Sequence, residues 1–465
     1  MALKKSGIKQ LLFITIMLLT LMTAGCNSRD DEKREPMQPV SELNGSGDTA
    51  SEAEGAGEQG DAEETETTAA EADENSEQQV ISEAAKVIVD GYDITAATTG
   101  TSLKDAYADY FTMGVAINGN QTSNSTIQSN AMVEIMKYHF NSTTFSNLMK
   151  PSYLLDQRGS IRNIAEGIET PAVKFDSVTE GLDFARDNDI KMRGHVLVWH
   201  EQAPDWFFKV GYESNSDYVD KETMLIRLES YIKQVLEFTQ TEYPGVIYCW
   251  DVVNEAIENT PGNYELGSGY EIRTKFGGGE NLWYKVIGVE YVEKAFVFAR
   301  KYADPYVKLF YNDYNTFQPA KTQSIYDLVF DLKQKGLVDG LGMQGYMDLS
   351  YPGIDSGNDN IRTALSKFAD LGLEIHITEL TIRSQDQTEQ SFEIQADRYE
   401  ELFTTLTEMD KEGGGPANIT NVTFFALMDD YLFYKNSNSN PEYHRLFDGN
   451  LQPKPAFYSV LSVVE

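Results

Sequence analysis

Cysteine is almost missing from this chain: of 465 residues only Cys26 and Cys249 carry a thiol. Two such distant thiols build no disulfide framework within a folded domain. With only five histidines there is also no Cys/His cluster at metal-ligand spacing. Positive charge is scarce as well. Thirty-eight Lys and Arg stand against 73 Asp and Glu, a formal charge of −35, so nucleic acid and anionic membrane surfaces would be repelled as partners. Large apolar residues are nearly absent from 27 to about 85, where 18 acidic and three basic residues sit among Gly, Ala, Ser and Thr. That composition cannot repay the entropy of ordering a chain. Tryptophan occurs only at 199, 206, 250 and 283, whereas 26 Tyr and 23 Phe suit a large core and a ring-stacking ligand.

What is present begins with a targeting segment. Lys4, Lys5 and Lys9 precede the apolar run LLFITIMLLTLM (11–22), followed by TAGC (23–26). A charged start, an apolar stretch too short for a stable span and small residues before a cleavage point make a signal peptide over 1–25. Cys26 after Ala-Gly resembles a bacterial lipobox, with Thr23 where Leu is more usual. The expectation is lipidation at Cys26, with 26–85 an acidic, disordered, self-repelling tether that holds the domain away from the outer face of the membrane. The plainer alternative is an ordinary secretory signal with an incidental Cys, and a secreted product.

From about 100 onward, short apolar runs alternate with longer amphipathic stretches. The runs are MGVAIN (113–118), NSTTFSN (141–147), IKMRGHVLVWH (190–200), VIYCWDVVNE (246–255), VKLFYNDYN (307–315), VDGLGMQGY (338–346), LEIHITEL (373–380) and NVTFFALMD (421–429). Helical periodicity lies between them, as in 222–240, 321–336 and 391–410. Continuous apolar strands alternating with helices predict a parallel sheet buried on both faces. Eight such units predict an α/β fold of the (β/α)8 TIM-barrel type over 86–465. A doubly wound sheet is the rival, but no GxGxxG follows the first strand.

Barrel closure gives the strand ends a meaning, because active sites of such barrels gather at the C-terminal ends of the strands. Here those ends carry Trp199-His200, Asn254-Glu255, Asn312-Asp313-Tyr314, Gln344 and Glu379. Strand alternation gives Glu379 the parity of Ile375 and Ile377, facing inward, and turns His376 outward to pack against a helix. Two inward carboxylates without a metal cluster or a nucleophilic Ser or Cys suggest glycoside hydrolysis. One carboxyl must be protonated to release the leaving oxygen, and the other ionised to attack the anomeric carbon.

The order and spacing of SLKDAYADYFTMGVAIN, RGHVLVWH, WDVVNEA, KLFYNDYN, GLGMQG, ITEL and LFDGNLQPKPAFYSVL over about 100–465 resemble glycoside hydrolase family 10, the endo-1,4-β-xylanases. The resemblance implies Glu255 as general acid/base and Glu379 as nucleophile of a retaining enzyme. It implies Asn254 as the residue holding the sugar 2-OH. Asn147, Lys150, His200 and Gln344 match positions that bind glycone sugars or orient the carboxylates, with Trp206 in the loop beside that site and Tyr314 at the end of strand five. It implies a xylan or xylo-oligosaccharide substrate; no cofactor and no metal are expected, and a monomer is the expectation for the chain.

Several positions depart from the family pattern. Ser146 stands where a Glu is usual. Tyr346 and Thr381 stand where the family has a His and an Asp linked to the nucleophile, and losing both together avoids stranding a buried polar partner. Tyr346 is still able to donate its phenol to Glu379. Phe425 and Phe433 fall where two Trp are usual. These changes point to a reshaped glycone site. Three other readings stand beside this one: a glycosidase for a different or unusually decorated β-glycan, a barrel that binds xylan without cutting it, and a solute-binding lipoprotein.

Overall fold

The computed structural model describes residues 86–118, 126–258, 270–276, 278–429 and 443–465. Cys26, the signal segment, the tether and Phe433 lie outside the described residues. Eight strands carry the fold: β1 (Thr112–Ile117), β2 (Ser142–Phe145), β3 (Lys191–Trp199), β4 (Ile247–Asn254), β5 (Lys308–Asp313), β6 (Gly340–Met343), β7 (Glu374–Arg383) and β8 (Asn418–Phe424). They pair in parallel in that order, and β8 pairs back onto β1. The ring closes without a free edge, as the eight alternating units predicted.

Helices follow every strand, among them α1 (Asn130–His139), α2 (Thr179–Asp187), α3 (Lys221–Glu242), α4 (Tyr291–Tyr302), α5 (Pro319–Gln334), α6 (Ile361–Ala369), α7 (Glu389–Met409) and α8 (Pro455–Ser462). The longest of them show why they form. α3 opens on Asp220, whose carboxylate accepts from Thr223 N at 2.8 Å, satisfying one orphan donor of the first turn. It then buries Met224, Leu228, Tyr231, Ile232, Val235 and Leu236, a stripe at helical spacing. α7 is capped the same way by Thr388.

Two glycines let large rings close the wall. A Cβ on Gly194 of β3 would sit 2.3 Å from the Trp250 ring, and one on Gly340 of β6 would sit 2.2 Å from the Phe310 ring. Each glycine is the register partner of the aromatic it accommodates.

The barrel interior holds a polar layer below the rim. Arg193 of β3 grips Asp251 of β4 with two hydrogen bonds, 2.6 and 3.1 Å, and both residues are buried. His195 Nδ1 lies 2.9 Å from the same carboxylate. Arg193 Nε also donates to His376 Nδ1 at 3.1 Å, across to β7 on the opposite wall. This corrects the outward placement of His376, which faces the interior and stacks on Phe310 at 4.1 Å. Burial, with the Arg193 charge beside it, pushes its pKa well below the usual histidine value, so it is a neutral packing group. Ile375 and Ile377 therefore face the helices. Glu379 still reaches the site because the β7–β8 register shifts between Ile377 and Leu380, which breaks the strict alternation the parity argument assumed.

Candidate active site

The site forms where the ends of β3 to β7 are stitched together. Glu255 N donates to Asn312 O at 2.8 Å, Gln344 N to Asp313 O at 3.0 Å, and Glu379 N to Gln344 O at 2.8 Å. These backbone bonds fix the two carboxylates on one rim. Glu255 has φ +55°, a left-handed conformation uncommon for a side chain of its size. The turn carries Asn254 and Glu255, successive residues, into the same site.

Glu255 is buried and receives three donors. Trp199 Nε1 reaches Oε2 at 2.9 Å, while Gln344 Nε2 and Asn254 Nδ2 reach Oε1 at 2.8 and 3.1 Å. Burial nevertheless pushes its pKa above the usual carboxylate range, and the Asp313 charge adds to that rise. Donation from Gln344 and Trp199 and the Arg273 charge pull the other way. Dehydration outweighs them, which suits a carboxyl that must hold a proton.

Glu379 is buried too, but its oxygens are shared between two donors. Asn312 Nδ2 reaches Oε1 at 3.1 Å, and the Tyr346 phenol donates to Oε2 at 2.5 Å. Asn312 is the hub: Thr378 Oγ1 donates to its Oδ1 at 2.7 Å, and its Nδ2 also reaches Asn254 Oδ1 at 2.9 Å. A relay of amides, Asn254 to Asn312, thus links the two carboxyl groups.

The remaining residues singled out in the sequence spread around this pair. Lys150 Nζ donates to Asn147 Oδ1 at 2.9 Å and lies 4.6 Å from the centre of the Trp199 ring. Gln202 Nε2 shares Asn147 Oδ1 at 3.3 Å. His200 packs edge-on against Phe276 at 4.7 Å, and neither ring nitrogen has a partner among the described residues. Burial and the charges of Arg273 and Lys321 keep it neutral. Tyr314 OH accepts from Arg273 Nη2 at 3.0 Å. Phe425 stands edge-on to Tyr346 at 6.1 Å. Trp206 packs edge-on against Phe207 and Tyr212, and no hydrogen bond among the described residues ties it to either carboxylate. Tyr346 and Thr381 are register partners. Thr381 Oγ1, however, is buried with no partner among the described residues, so it donates nothing to the phenol.

Sequence reasoning left Asn312, Arg273 and the Asp313–Lys321 pair out of the site. Asn312 carried a signal in its place at a strand end. Lys321 Nζ meets Asp313 Oδ1 at 2.7 Å with both side chains fully buried, but Lys321 comes from α5 and Arg273 from a loop, where no period announces them.

A closed parallel barrel that presents one raised-pKa carboxyl and one donor-held carboxylate at its C-terminal rim has the make-up of a glycoside hydrolase. The family model for glycosyl hydrolase family 10 matches residues 102–463, and the chain belongs to that family. It is 50% identical over 318 residues to a protein of Caldicellulosiruptor saccharolyticus, covering 67% of this chain and 96% of that one. It is 41% identical over 361 residues to endo-1,4-beta-xylanase B of Butyrivibrio fibrisolvens, 77% of this chain but about half (53%) of the relative's length. Among solved structures it is similar to the two-module endo-1,4-beta-D-xylanase 10B of Clostridium thermocellum complexed with xylohexaose. That match has a TM-score of 0.68 and 34% identity, covering 79% of this chain and 68% of that one. A mutant of the intracellular xylanase of Thermoanaerobacterium saccharolyticum, complexed with xylotetraose, matches with a TM-score of 0.62 at 32% identity, over 78% and 99% of the two chains.

Proposed function

We propose that the protein is a retaining endo-1,4-β-xylanase acting on xylan and xylo-oligosaccharides, with Glu255 as acid/base and Glu379 as nucleophile. The observation that carries this reading is the pair of buried carboxyl groups gathered on one rim: dehydration raises the pKa of Glu255, and Glu379 accepts from the Tyr346 phenol and the Asn312 amide. In the first step Glu379 attacks the anomeric carbon and Glu255 gives its proton to the departing oxygen. In the second, water attacks the same carbon, Glu255 takes the water's proton, and the bond to Glu379 breaks. Asn254, steadied by Asn312 and Gln344, is placed to hold the sugar 2-OH. The xylanase relatives, and the xylohexaose and xylotetraose bound in the similar structures, support xylan as the polymer.

The glycone side of this site is read as reshaped. Ser146 offers a hydroxyl where a carboxylate would give a charge-assisted bond, and Phe425 offers a ring without a donor. The chain is further read as a signal peptide over 1–25, an acidic tether over 26–85 lipid-anchored at Cys26, and a catalytic domain over 86–465 at the outer face of a bacterial membrane, working as a monomer.

The test separates the carboxylates. Glu379→Ala abolishes turnover on every substrate. Glu255→Ala is worst where the leaving group is poor, and added azide restores cleavage of activated aryl xylosides. Equal losses with good and poor leaving groups, without azide rescue, would reverse or void the assignment.

A further inference from the structure

We propose that Tyr346 is a positioning residue for the second half of the reaction, its phenol receiving the charge that returns to Glu379 when the glycosyl-enzyme is hydrolysed. The proposal rests on Glu379 being the nucleophile and assigns a job to the shortest side-chain contact that carboxylate makes, Tyr346 OH to Oε2 at 2.5 Å. The two oxygens of Glu379 are held unequally, since Asn312 Nδ2 stands at 3.1 Å from Oε1, farther than the 2.9 Å at which it donates to Asn254 Oδ1. The phenol is the tighter donor, and its ring is braced edge-on by Phe425 and by the strand pairing of Tyr346–Asp348 with β7. Thr381, its register partner, contributes no hydrogen bond to it.

The consequence follows from where charge sits. Before attack, Glu379 carries a full negative charge and the phenol stabilises it. When the bond to the anomeric carbon forms, that charge is lost and the hydrogen bond weakens. The phenol therefore stabilises the resting carboxylate more than the first transition state, and gives nothing to the rate of attack. In the second step water attacks the anomeric carbon, Glu255 accepts the water's proton, and the electron pair of the carbon–oxygen bond returns to Glu379. Charge now grows on the oxygens that Tyr346 faces, so the transition state gains more than the ester does. The phenolic proton remains on Tyr346 throughout.

The test is Tyr346→Phe in the full chain, with 4-nitrophenyl β-xylobioside as substrate. Phe keeps the ring and its contact with Phe425, and an unchanged melting temperature reports an intact fold. Removing the donor is expected to lower kcat about tenfold, the effect of one hydrogen bond to a charged group. KM should fall with it as glycosyl-enzyme accumulates, so that plateau kcat/KM stays within about twofold. A burst of about one 4-nitrophenol per enzyme should precede the slowed steady state, because the glycosyl-enzyme now forms faster than it is hydrolysed. A parallel loss in kcat and kcat/KM without a burst would overturn the proposal, leaving Tyr346 a wall. Trapping wild type with a 2-fluoro-xylobioside and finding the label anywhere but Glu379 would instead overturn the nucleophile assignment beneath it.

Discussion

Gln344 offers the sharpest perturbation of the acid, because among the described residues its side-chain hydrogen bonds run to Glu255 and Asn254 while its backbone does the stitching. Its Nε2 donates to Glu255 Oε1 at 2.8 Å and to Asn254 Oδ1 at 3.2 Å. In Gln344→Leu the backbone bonds to Asp313 and Glu379 remain, and Asn254 Oδ1 keeps its donor from Asn312. What is lost is a donor that favours ionised Glu255. A hydrogen bond to a charged group is worth about 1.5–3 kcal/mol. At about 1.4 kcal/mol per pH unit, that raises an already elevated pKa by roughly one to two units. The sign follows from the role: Glu255 must be protonated to release the leaving oxygen, so the alkaline limb of kcat/KM moves to higher pH. The variant should lose activity at its optimum and yet fall off later on the alkaline side. The assay is kcat/KM on a short xylo-oligosaccharide from about pH 4 to 10 for both proteins. An alkaline limb that stays in place or moves down would refute the claim that Gln344 restrains the acid.

Two further outcomes test the frame around the site. Gly194→Ala places a methyl 2.3 Å from the fully buried Trp250 ring, and overpacking of this kind costs about 1–3 kcal/mol. The urea midpoint should fall accordingly, and an unchanged midpoint would mean that the β3–β4 wall yields freely. For the anchor, cells grown with radiolabelled palmitate should label the wild-type chain and not Cys26→Ser; an unlabelled wild type would leave Cys26 an incidental residue of a secretory signal.

The barrel was legible because its signal is repetitive. Eight apolar runs and the amphipathic stretches between them are the pattern that burial on both sheet faces demands, and each run became a strand of the closed ring. The polar strand ends were legible too, since a carboxylate finishing an apolar strand is costly unless something uses it. Orientation was not. Assigning His376 to a helix and Glu379 to the parity of Ile375 treated β7 as an unbroken pleat, yet Thr378 and Glu379 both reach Asn312. Two neighbouring residues cannot face one point in a regular strand. Asn254 and Glu255 solve the same problem on β4 with a left-handed Glu255. The chemistry requires that crowding: a sugar's anomeric carbon must meet an acid, a nucleophile and a hydroxyl-holding amide within one ring's width. A fold whose side chains alternate can supply them only by interrupting the alternation at its strand ends. The period that reveals each strand therefore fails where the site begins, and the residues that escaped notice, Arg273 and Lys321, come from segments beyond that break.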